Sequence, residues 1–414
     1  MKDAFDTVVV GAGPAGLMAA IAAAGKNAKV LLLEKMEKPA RKLRITGKGR
    51  CNITNSRQED EFLTNIFPDS RFFKPAFKNF SNTDLVKFLN GTGLDTVEER
   101  GGRIFPASQR SWDVAETLVK EAEKKATVLC RAKVVKLFVE QNRVNGLCYE
   151  HHGQQINISA RAVIVATGGL AYPLTGSTGD GYEWARRAGH EIVSPRPSLT
   201  GLELADYEPI RFGLKNIELS LLVDGGTVQK EFGEMEFTEY GIDGPVVLKI
   251  SRNAVNAVSE NKKTAVRINF KPALNRQQLL NRIDREILSP PNGQVADLLR
   301  KMLPSPLITP FIKKTKISAT GKLPELKYSD RENIINGLSS MQYAVSGFRS
   351  FNEAIVTAGG VSLQEINPKT MCSKLIDNLF FAGEIINLDA NTGGYNLQIA
   401  FSTGWMAGIN AGKL

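Results

Sequence analysis

Near the start of the chain, Gly11-Ala12-Gly13-Pro14-Ala15-Gly16 combines residue types and a spacing suited to holding an anion. Gly11 permits a tight turn, Gly13 lets the backbone come close to a pyrophosphate, and Gly16 lets a helix pack on the strand before it. The free N–H groups and positive dipole end of that helix would face the phosphates. Glu34, eighteen residues after Gly16, ends an apolar run at 30–33, and its carboxylate can accept both hydroxyls of a ribose. An acid there disfavours a 2′-phosphate, so NADP is excluded as the resident dinucleotide.

A second group of the same character lies at the far end. The apolar run 379–382 leads into Gly383 and Glu384, a polar loop follows with Asn387 and Asp389, and Gly393-Gly394-Tyr395-Asn396-Leu397 opens a helix. A compact nicotinamide dinucleotide needs only the first glycine turn, whereas FAD extends beyond its pyrophosphate and needs a second contact. Asn387 or Asp389 can bond ribityl hydroxyls. The helix starting near Tyr395 would aim its first N–H groups at the flavin pyrimidine edge, where negative charge develops on reduction. FAD is therefore the expected cofactor.

Positioning these groups requires a Rossmann-like α/β scaffold: a strand at 7–10, a helix to about residue 24, and a strand at 30–33. Helices are expected at 83–90 and 112–125. Strands follow at 133–140 and 144–149, with His151 and His152 in a hairpin turn. The apolar run 162–166 ends in Thr167-Gly168-Gly169, a buried strand meeting a close backbone approach. The pattern changes near 195–197. Strands at 217–223 and 265–270, a helix at 276–287, a Pro-rich break at 289–292 and another helical run occupy the next stretch. The cofactor pattern resumes at 354–360. The expected organisation is a discontinuous FAD-binding domain, 1–192 and 344–414, split by an insert at 193–343 whose helical part covers about 273–320.

Composition narrows the function classes. At 414 residues, with 42% apolar and 23% charged residues, the chain can build more than one core. No apolar stretch is long enough to span a membrane, and the opening residues lack signal-peptide regions, so a cytoplasmic location is expected. Four cysteines without metal-ligand spacing argue against a disulfide framework and against a bound metal. The net charge of +10 attracts an anionic dinucleotide. Lys313, Lys314, Lys316 and Lys322 cluster, but no interleaved aromatics or nucleic-acid motif accompany them, so nucleic acid is not the expected partner.

The segments GAGPAG, RKLRITGKGRCNITN (41–55), ATGG (166–169), TGSTGDGYEWARRAGH (175–190), VTAGGV (356–361) and FAGEIINLDANTGGYNLQIAFSTG (381–404) occur in order. Together they resemble a family of bacterial flavoproteins that includes the bile-acid reductase-like proteins, often labelled the aminoacetone oxidase family. The resemblance covers essentially the whole chain and implies a two-dinucleotide-binding-domain flavoprotein fold whose insert is a small β-barrel with a helical bundle. It also implies that Lys35, Lys42 and Thr46 stand beside the cofactor and that Gly47, Gly49, Arg50, Cys51 and Asn52 line it. Ala166, Thr167 and Gly168 would lie near its adenosine half, and the Val134 backbone would meet the adenine. The chain departs from the family pattern at Asn387, often Asp there, and at Ala390, often Gly.

The chemistry implied is that of an FAD-dependent oxidoreductase passing hydride through flavin N5, with NAD(P)H as a transient donor and a small conjugated ketone as substrate. An amine oxidase using dioxygen and a tRNA-associated flavoprotein are the alternatives. Tyr172 and Tyr395 flank the glycine loops and are candidates for proton donors, with packing the favoured role for each. Cys51 has no cysteine nearby and reads as a packed thiol.

Overall fold

The computed structural model describes residues 4–288 and 293–414; the Pro-rich break at 289–292 lies outside them. Contacts divide the chain into two compact units, one running to Ser198 and resuming over Phe351–Leu414, the other Leu199–Ser350.

The first unit is built on a seven-stranded sheet. Its strands run in the order Thr127–Leu129, Val30–Leu33, Ala4–Val10, Gln154–Val165, Arg143–His151 and Lys133–Glu140, and Leu379–Phe381 also pairs with Gln154–Val165. Buried β-branched and leucine residues fill the centre: Val8, Val9, Leu32, Val163 and Ile164 are fully buried, as expected for parallel strands covered on both faces. The parallel register aligns Leu129, Leu33, Val10, Val165 and Phe381 in one row across five strands. The residues that follow them therefore emerge along a single carboxyl edge, where ligands of open α/β sheets bind.

Small residues bring the two chain ends together. In the C-terminal helix Tyr395–Ala411 and its cap, Gly404, Gly408 and Gly412 recur every four residues and so share one face. A Cβ on them would lie 2.2, 2.3 and 2.7 Å from the carbonyl oxygens of Ala15, Ala19 and Ala23, which recur with the same spacing on the helix Pro14–Ala24. The two helices touch backbone to backbone, which no larger side chain would allow.

The expected resumption of the cofactor pattern at 354–360 takes a different form. The strand Val356–Val361 lies outside the main sheet and pairs antiparallel with Ile192–Ser198. Gly359 and Gly360 explain this placement: both have positive φ, and a Cβ on them would sit 2.6 Å from the Ser194 oxygen and 2.4 Å from the Ile385 oxygen. The doublet is clasped between two backbones instead of joining the sheet.

The second unit is a closed barrel, its strands ordered Leu202–Leu204, Gly241–Asp243, Gly226–Phe237, Phe212–Val223, Thr264–Asn269 and Met341–Phe348. Thr264, Val266 and Ile268 point inward and alternate with more exposed neighbours, the period of a one-sided strand. Helices Arg276–Ile287, Val295–Met302 and Ser305–Thr315 form the helical part. Two more helices, Pro245–Ser259 and Tyr328–Ser340, go beyond the sequence expectation. The first is rich in valine, which weakens its helical signal, and its buried Val246, Val247 and Ile250 join the barrel core.

Candidate functional site

The first glycine turn stands at the carboxyl edge. Gly11 donates its N–H to the Leu33 oxygen at 2.8 Å, and its φ of +98° is one that L side chains rarely adopt. A Cβ on Gly11 would meet the Ala166 oxygen at 2.6 Å, and one on Gly16 would meet the Gly11 oxygen at 1.8 Å. Gly13 differs: a Cβ there would meet no protein atom within 4 Å. Two glycines are thus required by the fold, and the third faces open space. Pro14 takes the first helical position and Gly13 caps the helix without a side-chain bond. The N–H groups of Ala15 and Gly16 belong to the first turn and have no intrahelical partner.

Glu34 is drawn onto this turn. Its Oε2 accepts from Ala12 N at 2.8 Å and its Oε1 from Met36 N at 2.8 Å. Burial raises its carboxyl above the usual range, against the opposing pull of those two N–H groups, Lys35 and Arg41. The Glu34 oxygen accepts from Ala132 N at 2.8 Å, which sets the strand carrying the buried Val134 beside it. Lys35 reaches Asp180 at 2.7 Å and also Thr178.

Along the same edge, Ala166 N donates to the Val10 oxygen at 2.9 Å. The next residue, Thr167, carries a buried hydroxyl with no hydrogen-bond partner, and Gly168 follows at φ +74°. Leu170 and Ala171 donate their N–H groups to the Thr357 hydroxyl at 2.8 and 3.1 Å. Thr357 N in turn donates to Glu384 Oε1 at 3.0 Å, and Lys42 Nζ meets Glu384 Oε2 at 2.9 Å. Gly383, at φ +77°, would place a Cβ 2.7 Å from that of Ala15. The distal segment therefore begins directly against the pyrophosphate-type turn.

The basic stretch after Pro39 joins the other glycine pair. Thr46 caps its turn through the Leu43 oxygen at 2.7 Å, and Gly47 and Gly49 both take positive φ. The Asn52 side chain donates to the Thr54 oxygen at 3.1 Å and accepts from Gly394 N at 3.2 Å. Gly394 lies so close to Thr54 that a Cβ would stand 2.4 Å from its oxygen. Behind this junction, Thr54 donates to Gln398 Oε1 at 2.7 Å. The helix Tyr395–Ala411 is capped by Gly394 without a side-chain bond, so the first-turn N–H groups of Asn396 and Leu397 face outward as those of Ala15 do.

Other predicted residues are committed elsewhere. Arg50 lies over the Phe105 ring at 4.4 Å, bonds Gln109 at 2.7 Å and pairs with Glu99. Cys51 is fully buried at φ +61°, and burial pushes its thiol up to about 12, so it is a packed, unreactive group. Asp389 is buried and accepts from the Ser198 hydroxyl at 3.0 Å. Asn387 stays half-exposed, its N–H held by the Val361 oxygen at 3.0 Å. Asn396 turns its amide onto Ala390, at 2.9 Å for both donor and acceptor. Tyr395 is buried edge-on to Phe62, centroids 4.7 Å apart, with its phenol raised by burial. Tyr172 is half-exposed at φ +55° and anchored by its N–H to the Phe351 oxygen at 2.9 Å. Thr357, Lys42 as partner of Glu384, and Arg196 go unremarked in the sequence reading; the Pro-Arg-Pro at 195–197 is the one local signal that marks the last.

The set fits FAD chemically: open space at Gly13, free N–H groups at two helix starts, an orphaned Thr167 hydroxyl and a carboxylate at Glu34. Among the described residues no group of histidine, cysteine or carboxylate could hold a metal, and no helix is long and apolar enough to cross a membrane.

A family profile described as the HI0933-like protein Rossmann domain matches residues 5–410. A 3-dehydro-bile acid delta(4,6)-reductase of Clostridium scindens is 30% identical over 98% of both chains. A ribosomal RNA dihydrouridine synthase of Escherichia coli is 27% identical over 97% of this chain and 96% of its own. Among solved structures, a 3-ketosteroid-delta4-(5alpha)-dehydrogenase from Rhodococcus jostii in complex with 4-androstene-3,17-dione aligns with a TM-score of 0.56 and 16% identity, covering 100% of this chain and 98% of that one. At that identity the likeness concerns the fold alone, a discontinuous FAD-binding α/β domain interrupted by a barrel.

Proposed function

The chain belongs to the HI0933-like family of Rossmann-domain proteins, and on that footing we propose that it is an FAD-dependent oxidoreductase which saturates a carbon–carbon double bond conjugated to a carbonyl. The observation that carries the cofactor part of this reading is the single carboxyl edge on which Gly11–Gly16, Glu34, Thr167 and Gly383 emerge together, with Gly383 against Ala15. In the proposed arrangement the N–H groups of Ala15 and Gly16 bind the pyrophosphate, Glu34 takes the ribose hydroxyls, and the Val134 backbone meets the adenine. The first-turn N–H groups of Asn396 and Leu397 stabilise the charge that reduction places on the ring. Lys42 holds Glu384 and thereby fixes the distal loop. Bound there, FAD would supply hydride from the N5 position of its reduced ring. A reduced nicotinamide, bound transiently, is the proposed electron source.

The relatives' names support this reaction class by one shared feature. A 3-dehydro steroid with delta(4,6) unsaturation carries its double bonds in conjugation with the 3-keto group. Dihydrouridine is uridine whose ring double bond, conjugated to a carbonyl, has been saturated. The substrates differ, but both reactions end in loss of a double bond next to a carbonyl.

A second reading keeps the chemistry and makes RNA the substrate. It is favoured by the 27% relative and by the charge of residues 270–331, where twelve basic residues face five acidic ones. Anaerobic reduction by NADH or NADPH, followed by addition of either a delta-4 3-ketosteroid or a uridine-containing RNA, tests both. Bleaching of the flavin by a nicotinamide and its recovery on adding one of these acceptors is expected. A flavin that no nicotinamide bleaches, or that neither acceptor reoxidises, would contradict the proposal.

A further inference from the structure

Among the described residues, Arg196 is a cation without a partner. Its Nε is buried and bonds nothing, and no carboxylate pairs with it among the described residues. Burying part of a guanidinium in this way is unfavourable unless an anionic or strongly polar oxygen meets it in the working state.

The backbone holds this residue firmly. Pro195 and Pro197 flank it and fix φ on both sides. The pairing of Ile192–Ser198 with Val356–Val361 slips between Val193 and Arg196, a bulge of the kind that re-aims a side chain. Gly359 clamps that bulge, since a Cβ there would meet the Ser194 oxygen at 2.6 Å.

Its address is also defined. Arg196 and Ser198 are two residues apart on one strand and share a face, about 6.6 Å apart along it. The Ser198 hydroxyl on that face bonds Asp389, inside the distal loop between Asn387 and Gly394. On the paired strand Ala358 stands opposite Arg196, and the backbone N–H of its neighbour Thr357 holds Glu384. A preorganised guanidinium, unpaired among the described residues, thus shares a strand face with Ser198, whose bond to Asp389 leads into the loop assigned above to the ribityl chain.

We propose that Arg196 binds the carbonyl oxygen of the substrate and stabilises the negative charge that forms there during reduction. This rests on the reaction class proposed above. The β-carbon of the conjugated double bond accepts a hydride with its electron pair from the reduced flavin, which is oxidised by two electrons. The displaced π pair passes to the carbonyl oxygen, facing Arg196; a proton from water then adds at the α-carbon, the carbonyl reforms, and the substrate is reduced by two electrons. The planar fork of arginine donors suits an oxygen that gains charge in the transition state.

The test uses the FAD-loaded protein and 4-chlorophenol, whose phenolate imitates the charged oxygen and gives a long-wavelength absorption band over an oxidised flavin. With the wild-type protein the band is expected to appear well below the pH at which the phenol ionises in water. Arg196→Gln and Arg196→Met are both made, and either one that folds decides. Each is expected to retain FAD, to bind the phenolate at least about tenfold more weakly with its ionisation returned toward the solution value, and to lose about 10²–10³-fold in kcat/KM for a conjugated ketone. Unchanged phenolate binding in a variant, or no band with the wild type, overturns the proposal. So does loss of FAD with unchanged phenolate affinity of the reloaded protein, which would assign the guanidinium to the cofactor. A wild-type protein that takes up no FAD is detected before any phenol is added, and sinks the oxidoreductase reading instead.

Discussion

Gly404→Ala sets two known effects against each other. Gly404 lies inside the C-terminal helix with an ordinary helical backbone, so on helix propensity alone alanine should stabilise it by about 0.5–1 kcal/mol. The structure assigns the opposite sign, because the new Cβ would stand 2.2 Å from the Ala15 carbonyl oxygen. Even a 3.0 Å contact requires the two helix backbones to part by about 0.8 Å, and a gap of that size forfeits roughly a quarter to a half of each dispersion contact along the seam. Overpacking of this kind costs about 1–3 kcal/mol, so a net loss of about 1–2 kcal/mol is expected. Gly91 is the control: it is the exposed last residue of the helix Asn82–Gly91, with no atom within 4 Å of its would-be Cβ. Gly91→Ala should be neutral or slightly stabilising. Urea and thermal unfolding of both variants decide the matter. A G404A protein as stable as wild type, or more so, would refute the backbone-to-backbone seam that joins the chain ends.

Gly13→Ala makes the converse separation, because open space receives the new methyl: unfolding should be unchanged, while a FAD titration should show affinity down at least about tenfold. His190 provides a pH signature. Its Nε2 meets the Ser373 hydroxyl at 2.8 Å, and that oxygen already accepts from Leu375 and Ile376, so a second ring proton finds no acceptor. Burial depresses its folded value below the 6.5 of a free imidazole, so its stabilising share is complete above about 6.5 and is lost as pH falls from there toward the folded value. Urea midpoints across that window should fall for wild type and fall less steeply for His190→Asn. Cys51, fully buried with its thiol held near 12, should resist iodoacetamide in the native protein at pH 8, as read by mass spectrometry of digests, and react after denaturation.

The parts of the molecule written as local backbone chemistry were legible in the sequence. The turn at Gly11–Gly16 and the helix start at Gly394 follow from glycine positions alone, because positive φ and close approach leave few other residue types possible. What escaped depends on partners distant in sequence. Gly404, Gly408 and Gly412 show their spacing openly, but nothing local says that Ala15, Ala19 and Ala23 lie opposite. The barrel closes through Leu202–Leu204 and Gly241–Asp243, each three residues long and too short to carry a periodic signal. Asn387 and Asp389 looked equivalent in the loop; the strand at Ser198 buries one and leaves the other half-exposed. Arg196 carries no sequence mark beyond its flanking prolines, since being unpaired is a property of its surroundings.

The most direct test of the cofactor assignment is equilibrium titration of the purified, flavin-free protein with FAD, followed by quenching of flavin fluorescence. Saturable binding of one FAD per chain, weakened by Gly13→Ala in a protein of unchanged stability, is the predicted result. A wild-type protein that leaves the fluorescence of excess FAD untouched would contradict it.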